Sequence, residues 1–150
     1  MASSRAETSA SLADGAGRLT LAVADRLCAE ALAAAADLGF AGAAAAVDAG
    51  GHLVAFRRAD EAAFVTAIVA QRKAWTTAGS GMATDRWNAL AADGDVAPIL
   101  HSTGILAVAG GVPLAVGTRL IGGLGVSGGT AEQDARAARS ALRSLGFDTV

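Results

Sequence analysis

The chain has no tyrosine, one cysteine, two prolines and two histidines in 150 residues, and aromatic residues make up only 4%. Each scarcity removes a class of protein. A lone Cys28 cannot build a disulfide scaffold, and it fits a reducing, cytoplasmic compartment. Twelve basic residues against 14 acidic ones leave a net charge of -2. With no basic excess and no aromatic–basic interleaving, the chain does not read as a nucleic-acid binder. Two histidines without a His/Cys cluster at zinc spacing do not make a metal centre of that type. What is abundant is small and apolar: 53% of residues are hydrophobic, and 19 are glycine. That content excludes a disordered chain, and 150 residues suffice for one domain with a real core. With few bulky rings to fill it, such a domain must close by tight backbone approach or leave a cavity.

The run Val96–Thr118 contains no Asp, Glu, Lys or Arg and is long enough to cross a bilayer. His101, Ser102 and Thr103 near its start, and Gly104, Gly110, Gly111 and Pro113 along it, argue against a membrane helix. It reads instead as short buried strands joined by turns. The first twenty residues lack an apolar core of signal-peptide type. The expected organisation is a disordered tail over 1–18 and a single domain over 19–150.

Leu21 to Leu38 carries apolar residues at helical spacing, with Thr20 as N-cap and Gly39 as stop. Cys28 lies on that stripe and reads as a small core residue. Ala43–Val47 and His52–Arg58 read as strands around the turn Asp48-Ala49-Gly50-Gly51. Alternation puts Leu53, Ala55 and Arg57 on one side of the second strand, with Val54 and Phe56 on the other. A second helix is expected from about Ala62 to Ala78. Phe64, Val65, Ile68, Val69 and Arg72 make its main stripe, and Thr66, Ala70, Lys73 and Thr77 an adjoining face. A short helix follows from Thr84. Strands are expected over 104–109, 114–116 and 120–127. Thr130 with Gln133 forms a capping box for a last helix that Gly146 ends. About five strands joined mostly by hairpins, with four helices, indicate an α+β domain with an antiparallel sheet.

Three segments carry a family resemblance: Val47-Asp48-Ala49-Gly50-Gly51-His52-Leu53, then Arg72-Lys73-Ala74-Trp75-Thr76-Thr77-Ala78, then Gly110-Gly111-Val112-Pro113-Leu114 with Gly125–Asp134. Together they resemble the GlcG/HbpS-like family, which includes the C-terminal domain of PduO-type proteins. The resemblance implies a profilin-like α+β fold, homo-oligomers and, in some members, haem or corrinoid binding, with links to haem degradation or redox sensing. Two positions depart from the family pattern. Glu61 stands where a glycine is usual, and Ile68 where an acid is usual.

Several residues could carry chemistry. An imidazole can ligate haem iron, which singles out His101 and His52. His101 lies in the uncharged run, where a polar group needs a partner, and His52 follows the hairpin turn. Lys73, beside Thr66 on the second helix, could bind a propionate from a pocket wall or act as a base if burial lowers its pKa. Asp60 and Glu61 form an acidic pair before that helix, suited to its dipole or to general acid/base work. Asp48 reads as the cap of an Asx-type turn. Trp75 and Trp87 read as core or interface groups.

Two readings follow. In the first, the domain binds haem or a related small ligand, with His101 or His52 on the iron and Lys73 and Thr66 at the ligand, in haem handling or redox sensing. In the second, the same pocket performs cofactor-independent acid/base chemistry with Lys73, Glu61, Asp60 and His101 on a small molecule. Whether the chain is catalytic stays open at this level. Its alanine-rich helices and low charge also suit a homo-oligomer.

Overall fold

A computed structural model describes residues 12–15, 17–102 and 104–149. In chain order the elements are α1 (Leu21–Asp37), β1 (Ala43–Asp48), β2 (Leu53–Arg58), α2 (Val65–Ser80), α3 (Thr84–Leu90), α4 (Ala97–Ser102), β3 (Gly111–Val116), β4 (Arg119–Ser127) and α5 (Ala131–Leu145). The strands form one antiparallel sheet in the order β2-β1-β4-β3. Helices α1 and α5 cover one face and α2 covers the other, an α+β architecture.

Local chemistry sets the ends of the elements. The Thr20 hydroxyl accepts from the Val23 amide at 3.3 Å, and Gly39 takes φ 86° just past α1. The Thr130–Gln133 capping box is complete, and Gly146 closes α5 in the left-handed region. These ends fall where the sequence puts them.

The sheet has two different faces. Ala44, Ala46, Val112, Leu114, Leu124 and Val126 point toward α1 and α5, where they meet Leu27, Cys28 and Leu142 in the main core. The other face is almost free of side-chain bulk. Its β1 residues Ala43, Ala45 and Val47 pair with Ser127, Gly125 and Gly123 of β4. Helix α2 therefore lies directly on backbone. A Cβ on Gly125 would come 2.1 Å from the Ala70 carbonyl oxygen, and one on Gly123 would come 2.4 Å from that of Ala74. Only small or slender groups fit in such a seam, and α2 buries Thr66, Ala70, Lys73, Ala74 and Thr77 there.

That seam corrects the expected orientation of α2. Phe64, Val65 and Ile68, of the main apolar stripe, are 78%, 50% and 58% exposed. Its small, partly polar face is the buried one, because the glycine strand leaves no room for larger groups. The number of strands is corrected as well, from about five to four. The expected strand over 104–109 is an irregular strap. Its backbone bonds go to side chains: Leu106 N–H donates to Thr76 Oγ1 at 2.9 Å, and the Ala107 carbonyl accepts from Asn88 Nδ2 at 2.9 Å. The start of the uncharged run is helix α4, which carries His101. Thr103 lies outside the described residues.

A bulge corrects the facing of β2. Ala46 pairs with Ala55, but Val47 pairs with Leu53, so Val54 is the extra residue. Leu53 therefore shares the α2 side with Phe56, and Val54 packs toward the main core. Of the expected tail, residues 1–11 and 16 lie outside the described residues. Leu12 and Leu19 are buried in the main core, so the tail is already packed by Leu12.

Candidate functional site

The sequence-derived site residues are not brought together. Lys73 is 1% exposed and sits inside the seam under α2. Its ammonium donates to Asp134 Oδ2 at 2.8 Å and to the Val126 carbonyl at 2.9 Å, and Asp134 Oδ1 accepts from the Gly129 amide at 2.9 Å. Burial pushes the Lys73 pKa down, against the pull of Asp134. Burial pushes Asp134 up, against the pull of Lys73 and the Gly129 amide. With every charged atom in direct contact, this is a closed ion pair that ties α2 to the start of α5, away from solvent.

Thr66 spends its hydroxyl on the Ala63 carbonyl at 2.6 Å. Asp60 and Glu61 are exposed on the turn before α2, and His101 is exposed on α4. Cys28 donates to the Ala55 carbonyl at 3.6 Å, and burial pushes its thiol up to about 12, as suits an inert core residue. Trp87 is buried, with its indole N–H on Ser80 Oγ, whereas Trp75 is 44% exposed.

His52 has the clearest setting for chemistry. The β1–β2 turn is built on Asp48, as its sequence implies. One carboxylate oxygen, Oδ1, accepts from the Gly50 amide at 2.9 Å and the His52 amide at 3.0 Å, and lies 3.2 Å from His52 Nδ1. Burial alone would raise the Asp48 pKa. The amides and imidazole of His52 and the Gly50 amide outweigh it and hold the carboxyl below its ordinary value. An ionised carboxylate can only accept, so Nδ1 is the ring atom that donates to Asp48, and Nε2 is the ring nitrogen left without a protein partner. Gly50 makes room for this fold-back, since a Cβ there would come 2.8 Å from His52 Cε1.

His52 lines a cavity of about 630 Å³, within the roughly 300–1,000 Å³ usual for small-molecule sites. Three segments wall it: the stretch leading into α1 (Asp14, Gly17, Arg18, Leu19, Thr20), the Asp48–His52 turn, and the start of β4 (Arg119, Leu120, Ile121). Lys73, Thr66, Asp60, Glu61 and His101 do not line it. Sequence reasoning missed Arg18 and Arg119. Arg18 was assigned to the tail, although Asp14 four residues earlier is its ion-pair partner at 2.8 Å. Arg119 reaches the cavity only because β4 pairs with β1 so that its start lies beside the Asp48 turn. Among the described residues, no group of three or more His, Cys, Asp and Glu is placed to hold a bare metal ion.

A second, shallower hollow of about 240 Å³ lies between Leu53, Arg72, Trp75 and Gly51 on the α2 side. Helix α2 leaves β2 largely uncovered. Phe56, Phe64, Val65 and Ile68 are also exposed on this side.

Fold and cavity together define a class: an α+β domain with a carboxylate-paired histidine lining a cavity of small-ligand size. The comparisons give that class its family. The family described as haem-degrading protein HbpS-like matches residues 19–143, and the chain belongs to it. Protein GlcG of Escherichia coli K12 is 37% identical over 87 residues, which cover 55% of this chain and 61% of GlcG. The chain thus spans less than two thirds of that relative. A double mutant of Streptomyces reticuli HbpS superposes with a TM-score of 0.79 at 30% identity, covering 85% of this chain and 87% of HbpS. PduOC, solved as a complex with haem, gives 0.75 at 29% identity, covering 83% and 92%. The expected GlcG/HbpS-like kinship holds. Among the described residues, no helix is long and apolar enough to cross a membrane.

Proposed function

We propose that this protein binds haem in the cavity beside the Asp48 turn, with His52 as the residue that holds the iron. The observation that carries this reading is the Asp48–His52 pair, which gives Nδ1 a carboxylate partner and leaves Nε2 without a protein partner, in a residue that lines a cavity of suitable size. Iron-ligating histidines commonly donate their second ring N–H to a carboxylate or carbonyl, and Asp48 supplies that group here. Half-buried Leu120 offers apolar surface to a porphyrin at the cavity, while the side chains of Leu19 and Ile121 are packed in the main core. Bound haem would supply an iron able to take electrons or an exogenous ligand. The protein's own part is to orient the imidazole and shield one side of the ring. That PduOC was solved with haem supports the reading.

This places the ligand at His52 in preference to His101, and it removes Lys73 and Thr66 from the ligand's contacts. The acid/base alternative loses ground for the same reason. Lys73 is locked in its ion pair, while Asp60, Glu61 and His101 stand on separate exposed elements outside the cavity. Hemin titration of the apo-protein tests the proposal: a saturable Soret shift is expected, kept by His101→Ala and lost or moved by His52→Ala. A Soret band that depends on His101 and ignores His52 rejects it.

The site is read as working in the cytoplasm and within a homo-oligomer. The exposed apolar side chains Leu53, Phe56, Phe64, Val65, Ile68 and Trp75 support the second point, since burying large apolar groups against a second copy would be favourable. Light scattering checks it. Ile68→Glu should lower the measured mass to that of a smaller species, and an unchanged mass counts against this face.

A further inference from the structure

We infer that Arg119 makes the His52 cavity a receptor for a free carboxylate on its ligand. The site would then select flat apolar molecules by their acid side chains as well as by their iron. The inference rests on the reading of this cavity as a haem site.

The charges along the cavity wall are not equivalent. Arg18 is already satisfied. Its Nε donates to Asp14 Oδ2 at 2.8 Å, its Nη2 lies 2.8 Å from the same oxygen, and its amide donates to Asp14 Oδ1 at 2.9 Å. Asp48 is committed to its turn and to His52. The Arg119 side chain is exposed and makes no hydrogen bond or ion pair with any described residue, so its guanidinium is free to pair with a ligand. It lies against the backbone of Gly17, where a Cβ would come 2.6 Å from Nη1 and 2.9 Å from Cζ. Gly17 holds φ +73°, so both its conformation and its lack of a side chain suit this contact.

A guanidinium offers a planar fork of donors that matches a carboxylate in two parallel bonds. Half-buried Leu120 borders the same space, so part of an apolar body can lie beside an acidic arm. The matching chemical class is a tetrapyrrole with at least one free propionate.

Three probes separate this inference from iron ligation: hemin, iron-free protoporphyrin IX, and hemin dimethyl ester. Binding is read by the Soret band or by porphyrin fluorescence, on the wild type, Arg119→Gln, Gly17→Ala and His52→Ala. Arg119→Gln should weaken hemin and protoporphyrin IX about tenfold, as expected for a charge-assisted hydrogen bond, and leave the ester unchanged. Gly17→Ala should act in the same direction by displacing Arg119, with a thermal melt confirming that it is folded. Equal affinity for hemin and its ester, with no effect of Arg119→Gln, overturns the inference while a His52-dependent Soret band keeps the haem reading. Arg119-dependent protoporphyrin binding with a hemin spectrum indifferent to His52 upholds the inference and overturns iron ligation. Absence of saturable binding by both hemin and protoporphyrin IX overturns both.

Discussion

Replacing Lys73 with methionine should be among the most damaging single changes outside the hydrophobic core. The side chain is 1% exposed and its partner carboxylate 4%. Methionine fills much of the same space, so the loss is electrostatic. It strands the Asp134 carboxylate with only the Gly129 amide as partner, and it leaves the Val126 carbonyl without the Lys73 donor. Breaking a buried pair by removing one member costs about 3–5 kcal/mol. At roughly 2–4 °C per kcal/mol for a chain of this size, Tm should fall by about 6–20 °C. The deficit should also depend on pH. Burial already raises the Asp134 pKa, and loss of Lys73 raises it further. A carboxyl whose folded pKa lies above its unfolded value favours folding while protonated, and that contribution is lost as pH rises through the folded pKa. The variant should therefore be weakest near neutral pH and recover toward the wild type as pH falls toward 4. Removing both charges with Lys73→Met and Asp134→Leu should restore much of the loss, since apolar replacements of buried pairs are often neutral or better. Thermal melts of the wild type, both single variants and the double variant complete the cycle. A cost below about 1 kcal/mol that does not vary with pH would refute a sealed ion pair.

Other consequences are as direct. Gly125→Ala puts a Cβ 2.1 Å from the Ala70 carbonyl oxygen, so α2 must lift off the sheet, at a cost of about 1–3 kcal/mol or more. Gly79→Ala on the same helix meets nothing within 4 Å and should be neutral or stabilising by up to about 1 kcal/mol, which makes the pair a test of the seam by denaturant melts. Asp48→Ala removes the acceptor shared by Gly50 and His52 and should cost about 1 kcal/mol. Because the Asp48 pKa lies below 3.8 in the fold, that contribution should be whole above pH 3.8 and fade as pH falls through the lower folded value, as acid titration of both proteins will show.

Much of the fold can be read from local chemistry, and the misreadings share one cause. Thr20, Gly39, the Thr130–Gln133 box and Gly146 mark helix ends through bonds that span only a few residues, so they are visible in the sequence. The Asp48 turn is legible for the same reason. The facing of α2 is not, because hydrophobic periodicity favours the stripe through Phe64, Val65 and Ile68. The buried stripe is set by what lies beneath it, a strand with glycine at 123 and 125, and that pairing is known only once the sheet is assembled. Lys73 misleads in the same way. Its spacing puts it beside Thr66 and Thr77, as expected, but its partner is Asp134, 61 residues away. The strap over 104–109 has strand-like composition, yet its backbone finds Thr76 and Asn88 before any strand.

The candidate site divides along the same line. His52 and Asp48 are four residues apart, and their pairing follows from the turn. Arg119 belongs to the site only through the β1–β4 register, and Gly17 and Arg18 only through the path of the chain into α1. A histidine in a long uncharged run, His101, looked the more telling of the two by composition. In the fold both side chains are exposed, His101 on a short helix, and His52 alone of the two has a carboxylate partner and lines the cavity.

The most direct test of the central claim is imidazole rescue. Hemin is added to His52→Ala, the Soret band is recorded, and free imidazole is titrated in. If His52 Nε2 holds the iron, the variant starts with an altered band, and imidazole restores a wild-type-like spectrum at the same one-to-one stoichiometry. If the His52→Ala band already matches the wild type before imidazole is added, His52 is not the ligand and the account fails.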